Sequence, residues 1–459
     1  MDKIAFIKRV AEQIKREKCD IFVGSGISCA SGVPSWFDFL KPLATEIGIE
    51  LNSNDDLPLI AQYIVNNNSG NKNIIRSKII EVFDANYELN ENHSAMSTMN
   101  VNTVWTTNYD CLLEKAFQNR CYNVIASDSD LGKPRSQNQL EIIKIHGDVK
   151  QNLEDIVLTQ QDYDNFIFKK PAIAQRLRAT LLEKSILFIG YGYRDANIRT
   201  VMVEAMKLIN DNSQEHFIII DKPKKEHDES ENDFNQRKLK FDHWIKELNR
   251  LGIRDLQIEN RSELSDILNE INVNSRGKTV FITGSHELKQ DEYIEKFGKK
   301  LADIKDIILI NGQSEGVGAD VLNEFLTYSI DSKTDISSRI KLYPNPYAAK
   351  PEYSNEPSLL PCLKKERSQM LSKVKVMVAF RGGMGTKAEV EVAKENKCII
   401  VPGITCDNDY KSELIIELLK DKYVMEYLKK NVHEYYELLE KQDVPKIEEL
   451  LRAIEGVLK

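Results

Sequence analysis

The chain has 459 residues, 41% hydrophobic and 29% charged, an ordinary composition for two or three globular domains. Its formal net charge of −8 at pH 7 argues against nucleic acid as the main ligand, because phosphate backbones select basic surfaces. No apolar run approaches the ~20 residues that span a bilayer and no secretory signal is recognisable, so we expect a cytoplasmic protein with no membrane partner.

In chain order, the first half predicts an α/β domain. Apolar residues at helical spacing over 4–18 predict a helix that leads into a buried strand at Asp20–Val23. Residues 40–98 are expected to be mostly helical, with a loop at 66–70. Four further short apolar strands are predicted, at Thr103–Trp105, Ile142–Ile145, Ser185–Ile189 and Phe217–Ile220. Each ends at a polar or glycine-containing turn, which is typical of a parallel sheet with ligands at the carboxyl ends of its strands.

The second half predicts another α/β domain after a short linker. The charged stretch 222–238 is expected to be solvated, and a helix at 241–251 precedes the end of the first domain. The polar segment 272–277 is the expected linker. A new set of strands is then predicted at 279–282, 306–310, 375–379 and 398–401. We therefore place the two domains at 1–272 and 277–459.

The cysteines and histidines predict neither a metal site nor disulfides. The seven cysteines contain no C-x-x-C pair, and the seven histidines contain no H-x-x-x-H pair. Scattered cysteines in a cytoplasmic protein are mostly small buried hydrophobic side chains. We expect a site without a metal ion.

Four segments of the first half carry a family resemblance. The glycine-rich turn Gly24–Ser28 follows the first strand, and Thr106–Asp110 follows the second. The pair His146-Gly147 follows the next predicted strand, and the turn Gly190–Tyr193 follows the strand after that. In type and order these segments resemble the sirtuin family over about residues 1–270. A single glycine loop is weak evidence, but four ordered matches are specific.

The resemblance implies an NAD site on a Rossmann-like domain. Asn108 would position the ribose and a water molecule, and His146 would be the general base. Ser25 and Ser28 would serve the phosphates, while Asp110 would either contact the nicotinamide carboxamide or cap the following helix. The expected NAD-binding residues are Gly24, Ser25, Ile27, Ser28, Asn108, Asp110, His146 and Gly190.

Departures from the sirtuin pattern change the expected substrate. The zinc-binding cysteine pairs of deacylating sirtuins are missing, Pro34–Phe37 lacks their arginine, and Thr107 replaces their glutamine. These losses affect recognition of an acylated peptide and leave the NAD-holding features in place. Water then replaces the acyl oxygen as nucleophile, and the products would be nicotinamide and ADP-ribose. A protein deacylase remains the alternative.

The second half carries a different glycine motif. Arg381–Glu389 resembles the P-G-G-x-G-T-x-x-E motif of the LOG/lysine-decarboxylase-like superfamily, and Glu366–Met370 resembles its E-R-x-x-M segment. The resemblance implies a Rossmann-like SLOG domain with phosphate at a helix N-terminus, paired with Arg367, and ribose hydroxyls at Glu389. Such a domain either senses a nucleotide or hydrolyses a nucleoside monophosphate. The expected contacts are Gly284, Ser285, Arg367, Gly383, Gly385, Thr386, Lys387 and Glu389.

Together, a sirtuin-like domain followed by a SLOG domain resembles the ThsA-type effector family of the Thoeris antiphage system. The resemblance implies an NAD+ glycohydrolase held inactive as a homo-oligomer, a tetramer in the family. A cyclic ADP-ribose isomer, made by a TIR-domain protein, would activate it through the SLOG domain and so deplete NAD. NAD is then the substrate and the isomer an allosteric activator, with no cofactor and no nucleic acid partner.

Overall fold

The structure is a computed structural model, and it describes residues 1–52, 55–134, 139–151, 153–192, 195–208, 214–226, 229–285, 288, 291–344 and 360–458. The chain divides into two compact units, 1–275 and 276–459. Each unit is an α/β fold on one parallel sheet, as the sequence predicts. Within the described residues, no helix combines the length and apolar character needed to cross a bilayer.

The first unit is built on a seven-stranded sheet with the order β3-β4-β2-β1-β5-β6-β7. The strands are β1 Cys19–Val23, β2 Thr103–Thr106, β3 Tyr122–Ile125, β4 Leu140–Lys144, β5 Ser185–Ile189, β6 His216–Asp221 and β7 Ile253–Ile258. All neighbouring strands are parallel, so their carboxyl ends lie at one edge. The strands β1, β2, β4 and β5 are buried throughout, which fits the apolar residues at the centre of each.

Helices cover both faces of this sheet. They are α1 Lys3–Lys15, α2 Ser25–Cys29, α3 Trp36–Glu46, α4 Leu57–Asn67, α5 Asn73–Phe83, α6 Glu91–Ser97, α7 Leu112–Ala116, α8 Gln160–Asp164, α9 Phe166–Lys169, α10 Pro171–Glu183, α11 Ala196–Leu208, α12 Glu231–Arg250 and α13 Glu263–Ser275. The apolar sides of α1, α6 and α13 pack on one face, and those of α10, α11 and α12 pack on the other. A third cluster joins α3, α4 and α5 to Tyr109 and Val149, beside the turns at the carboxyl edge.

The second unit has a five-stranded parallel sheet with the order β10-β9-β8-β11-β12. Its strands are β8 Thr279–Thr283, β9 Ile308–Asn311, β10 Ile340–Leu342, β11 Val376–Ala379 and β12 Ile399–Pro402. Its helices are α14 Glu292–Asp303, α15 Val317–Asp331, α16 Ile336–Arg339, α17 Leu360–Leu371, α18 Met384–Glu395, α19 Glu413–Lys420, α20 Lys422–Asn431, α21 His433–Lys441 and α22 Ile447–Leu458. The turns after β8 and β11 are adjacent, because these two central strands pair with each other.

Three expectations differ from the structure. The edge strands β3, β7 and β10 were not expected, because their residues do not form continuous apolar runs. The second half of the charged stretch is helical, since α12 already begins at Glu231. The expected linker is also wrong in its first part: α13 continues to Ser275, and Asn272 is fully buried within it.

Candidate functional site

Two glycine turns pack backbone against backbone at the carboxyl edge of the first sheet. The N–H of Gly24 donates to Ile189 O at 2.9 Å, and the N–H of Gly26 donates to Gly190 O at 3.0 Å. A Cβ added at Gly24 would lie 2.4 Å from Gly190 O. Gly190 has a φ of 61°, and its own Cβ would lie 2.8 Å from the backbone nitrogen of Ile27. These glycines are therefore required for the close approach of the two turns, whatever they contact in a ligand.

Asn108 is held at the same edge by main-chain and side-chain contacts. Thr106 Oγ1 donates to Val23 O at 2.8 Å and accepts from the N–H of Asn108 at 3.0 Å. The Asn108 amide donates to Gly24 O at 3.3 Å and to Ser28 Oγ at 3.0 Å. Its Oδ1 is buried and accepts no hydrogen bond from the described residues. The structure therefore brings Asn108 and Ser28 together and leaves one strong acceptor for a ligand.

The other predicted NAD contacts differ in exposure. Ser25 is exposed, and Gly190 is half-buried. The side chain of Ile27 is 1% exposed and belongs to the core, so what it offers a ligand is its backbone. Asp110 Oδ1 accepts from the N–H of Leu112 at 3.0 Å, which is the capping contact considered for it. Tyr193, at the end of the second glycine turn, lies outside the described residues.

His146 lies in the turn after β4, next to the Asn108 turn. Thr106 and Lys144 are register partners in the parallel pair β2–β4, and Asn108 and His146 each follow two residues later. Gly147 adopts a φ of 97°, and a Cβ there would lie 3.0 Å from Ile156 Cα. His146 as a whole is 4% exposed. Strand pairing therefore places the two predicted catalytic residues on neighbouring turns.

Asp195 lies beside His146 and was missed by the sequence analysis. His146 Nε2 and Asp195 Oδ2 are 3.0 Å apart, an ion-pair distance, although the contact lacks the alignment of a hydrogen bond. Tyr163 completes the group, with its ring 5.3 Å from the imidazole and edge-on to it. The sequence signal for Asp195 was an acidic residue at the start of a helix after a glycine turn, which predicts a cap and no more.

A fully buried lysine, Lys144, contacts both the Asn108 turn and the turn that holds His146. Lys144 Nζ lies 2.7 Å from Asp110 O and 3.2 Å from Tyr109 O, both in the Asn108 turn. It also lies 3.0 Å from Glu114 Oε1 and 2.9 Å from Asp148 Oδ2, two residues after His146. Burial lowers the pKa of Lys144, but the attraction of both carboxylates outweighs burial and holds the pKa above its usual value. Sequence analysis missed this lysine because it lies within the predicted strand Ile142–Ile145.

The same network contains a group of potential metal ligands. Among the described residues, Cys111, Glu114 and Asp148 have ligand atoms within 4.8 Å of one another. The ammonium group of Lys144 already contacts both carboxylates. Burial raises the pKa of the Cys111 thiol to about 12, so a thiolate ligand is disfavoured at neutral pH. The group is therefore an internal ion network that already contains its cation.

In the second unit, the predicted acidic and basic residues lie near each other. Glu389 in α18 accepts from Thr283 Oγ1, at the end of β8, at 2.5 Å. Burial raises the pKa of Glu389, opposed by the Thr283 hydrogen bond and by the positive charge of Arg367. Arg367, on α17, is half-buried. The structure therefore brings the end of β8 and the helices α17 and α18 together near the half-buried carboxyl group of Glu389.

The glycine loop after β11 begins α18 at the N-cap Gly383. A Cβ at Gly382 would lie 2.2 Å from Thr386 Oγ1, so the loop needs glycine there to accommodate the buried threonine. The loop is joined to the turn after β8, where the N–H of Ser285 donates to Arg381 O at 2.8 Å. Among the described residues, no atom lies within 4 Å of a Cβ added at Gly383 or Gly385. This geometry leaves room for a ligand at the N-terminus of a twelve-residue helix.

The remaining predicted contacts of the second unit have protein partners. At Gly284, a Cβ would lie 2.9 Å from Val317 Cγ2, so this glycine is needed for packing. Lys387 Nζ lies 3.0 Å from Glu413 and 2.9 Å from Glu417, both on α19. A ligand anion at Lys387 would therefore have to compete with two carboxylates.

Comparison with known proteins gives two domain matches and several relatives. A SIR2-like domain matches residues 102–243, and the Sir2- and TIR-associating SLOG family matches residues 263–459. The chain is 31% identical to NAD(+) hydrolase ThsA of Bacillus cereus (strain MSX-D12) over 398 residues, 85% of this chain and 82% of that protein. It is 26% identical to NAD(+) hydrolase ThsA of Enterococcus faecium over 491 aligned positions, 100% of this chain and 99% of that protein. It is 27% identical to NAD(+) hydrolase ThsA of Acinetobacter baumannii (strain 532279), over 76% of this chain and 74% of that protein.

Proposed function

The chain belongs to the ThsA family of NAD(+) hydrolases, and from this premise we propose that it hydrolyses NAD+ to nicotinamide and ADP-ribose at the Asn108–His146 site. The observation that carries the proposal is the buried Oδ1 of Asn108, which accepts no hydrogen bond from the described residues. A buried amide oxygen without a donor is costly unless a ligand supplies one. A ribose hydroxyl or the attacking water has the donor that this position requires.

The proposed chemistry divides the work between the two turns. Cleavage of the nicotinamide–ribose bond passes through an oxocarbenium-like state, so the ribose must be oriented and water must be held at C1′. Asn108 orients the ribose and the water, and His146 accepts the proton of that water. Ser25 and Ser28 serve the phosphates, and Asp110 contacts the nicotinamide carboxamide while its Oδ1 caps α7. No metal ion or cofactor takes part in this scheme.

We further propose that the second unit, 276–459, regulates the first unit, 1–275. The matching family is described as associating with Sir2 and TIR domains, which supports a TIR-domain protein as the source of the ligand. The ligand is a cyclic ADP-ribose isomer, bound by Arg367, Glu389 and the glycine loop. A ligand can activate only if it binds the active arrangement better than the inactive one. The protein is held inactive as a cytoplasmic homo-oligomer, a tetramer, and its depletion of NAD after activation serves antiphage defence.

The test of the activity measures nicotinamide release from NAD+ by the purified full chain, with and without cyclic ADP-ribose isomers. We expect release that depends on an isomer. His146→Ala should lower kcat by about 100-fold or more, the usual contribution of a general base, while isomer binding is retained. Release at the wild-type rate by His146→Ala would show that the base is a different residue. No release by the wild type under any condition would contradict the proposed function.

The test of the sensor uses Arg367→Ala. This variant should bind the isomer too weakly to be activated, since the phosphate loses its guanidinium partner, and its thermal unfolding should match that of the wild type. Arg452→Ala is the matched control, because Arg452 is an exposed arginine on α22 of the same unit. An undiminished isomer response in Arg367→Ala would place the ligand elsewhere.

A further inference from the structure

The imidazole of His146 has a carboxylate neighbour that the scheme above does not use. Asp195 Oδ2 lies 3.0 Å from His146 Nε2, and the two side chains are 8% and 5% exposed. The residues are 49 positions apart in sequence, and the fold brings them together from the turns after β4 and β5. A buried carboxylate beside a buried imidazole is costly unless the two compensate each other.

Asp195 is fixed in place by the helix that follows it. Its Oδ1 accepts from the N–H groups of Asn197 at 2.9 Å and Ile198 at 3.1 Å, at the start of α11. The other oxygen is thereby directed away from the cap and lies against His146. Burial raises the pKa of Asp195, but the attraction of His146 and the two helix N–H groups outweigh burial and hold it below its usual value. The carboxylate is therefore ionised at neutral pH.

Asp195 also acts on the phenol groups of two tyrosines, Tyr163 and Tyr109. Tyr163 of α8 places its hydroxyl 3.5 Å from Asp195 Oδ2 and its ring edge-on to the imidazole. Burial, and then the charge of Asp195, raise the pKa of both Tyr163 and Tyr109 above the usual tyrosine value. The carboxylates of Asp162 and Asp56 act on these tyrosines from further away. Both phenols stay neutral in the range where an imidazole gains or loses its proton.

We propose that Asp195 is a positioning residue for His146, holding the ring with Nε2 towards α11 and stabilising the imidazolium formed during NAD+ cleavage. This inference rests on the proposed function. Because Nε2 lies against the Asp195 carboxylate at 3.0 Å, the proton from water is accepted by the other ring nitrogen, Nδ1. The water oxygen bonds to C1′ as the C1′–N bond breaks. The electron pair of the C1′–N bond leaves with neutral nicotinamide. The proton on His146 then returns to solvent, so one NAD+ and one water give nicotinamide, ADP-ribose and one proton.

The central variant is Asp195→Asn, because asparagine keeps an oxygen to cap α11 and removes the charge beside the imidazole. We expect kcat to fall about 100-fold or more while KM changes little, as for other imidazoles that lose their orienting carboxylate. The acid limb of the kcat–pH profile should move to lower pH, because the imidazolium has lost its counter-charge. Asp195→Glu should recover part of the activity. Unchanged kcat and an unchanged pH profile in Asp195→Asn, beside an active wild type, would overturn the inference.

A matched control separates charge removal from loss of a cap. Asp128 also caps a helix, accepting from the N–H groups of Ala172 at 2.8 Å and Ile173 at 3.1 Å. Asp128→Asn removes a carboxylate of the same kind without an imidazole partner, so kcat and its pH profile should stay at wild-type values. An equal loss of activity in both variants would assign Asp195 a purely structural role and overturn the inference.

A second readout does not require turnover. NMR of histidine-labelled protein follows the titration of the His146 imidazole, assigned by its absence in His146→Gln. The imidazole pKa should be lower in Asp195→Asn than in the wild type, since the neutral amide no longer favours the charged ring. Equal imidazole pKa values would overturn the inference even in an active enzyme. A lowered imidazole pKa in a wild type that releases no nicotinamide would support the pairing and contradict the proposed function instead.

Discussion

Replacing Lys144 by methionine removes the cation from a fully buried ion network. The ammonium group lies within 3.2 Å of Tyr109 O, Asp110 O, Glu114 Oε1 and Asp148 Oδ2. Methionine fills a similar volume but removes the cation that contacts the carboxylates of Glu114 and Asp148, whose side chains are 12% and 3% exposed. Removing one partner of a buried pair typically costs about 3–5 kcal/mol, because the remaining charge stays in a poorly solvated place. Because two carboxylates lose their cation at once, we expect Lys144→Met to cost a free energy at the upper end of that range.

This loss should be visible as a lower thermal unfolding temperature of the full chain. For domains of this size, about 3–5 kcal/mol corresponds to roughly 6–20 °C. Neutralising the stranded groups, with Glu114→Gln and Asp148→Asn added to Lys144→Met, should recover part of the loss. Lys78→Met is the control, since Lys78 pairs with Glu81 on the exposed surface of α5 and should change little. If Lys144→Met lowers the free energy of unfolding by less than about 1 kcal/mol, the network does not stabilise the contact between the Asn108 turn and the His146 turn.

Two further predictions concern the first unit. Gly190→Ala should destabilise it by about 2–5 kcal/mol, because alanine would have to adopt a φ of 61° and its Cβ would meet Ile27. Urea unfolding measures this loss, and Gly132→Ala is the control because no described atom lies within 4 Å of a Cβ at Gly132. A loss no larger in Gly190→Ala than in Gly132→Ala would contradict the prediction. Burial lowers the pKa of His93 and of His216 to about 4, so the unfolded chain binds protons below pH ~6.5 that the folded chain does not. Stability should therefore fall as pH falls from ~6.5 towards ~4, by about 2 kcal/mol per histidine at pH 5. Equal unfolding free energies at pH 6.5 and pH 5 would contradict these lowered pKa values.

The central strands and their turns were predictable because their signal is local. The strand β5 has the bounds expected from its apolar run, and β1 differs by one residue at its start. A strand buried on both faces is mostly apolar, and the chain leaves it through a glycine where the backbone needs close approach or a positive φ. The same reasoning fails at the edge strand β10, whose three residues are half-buried or exposed and carry no apolar run.

The sequence by itself was enough to predict Asn108 and His146 as the residues of the proposed chemistry, because both stand in recognisable segments at the ends of predicted strands. Only the tertiary structure decided what supports them. Asp195 lies 49 positions beyond His146, and Lys144 contacts a turn that precedes it by 34 and 35 positions. These residues are far apart in sequence, and they become neighbours because of the strand order, which depends on the packing of the whole sheet. Residue type and spacing act over a few positions, whereas the pairing of buried charges is set by which strands become neighbours.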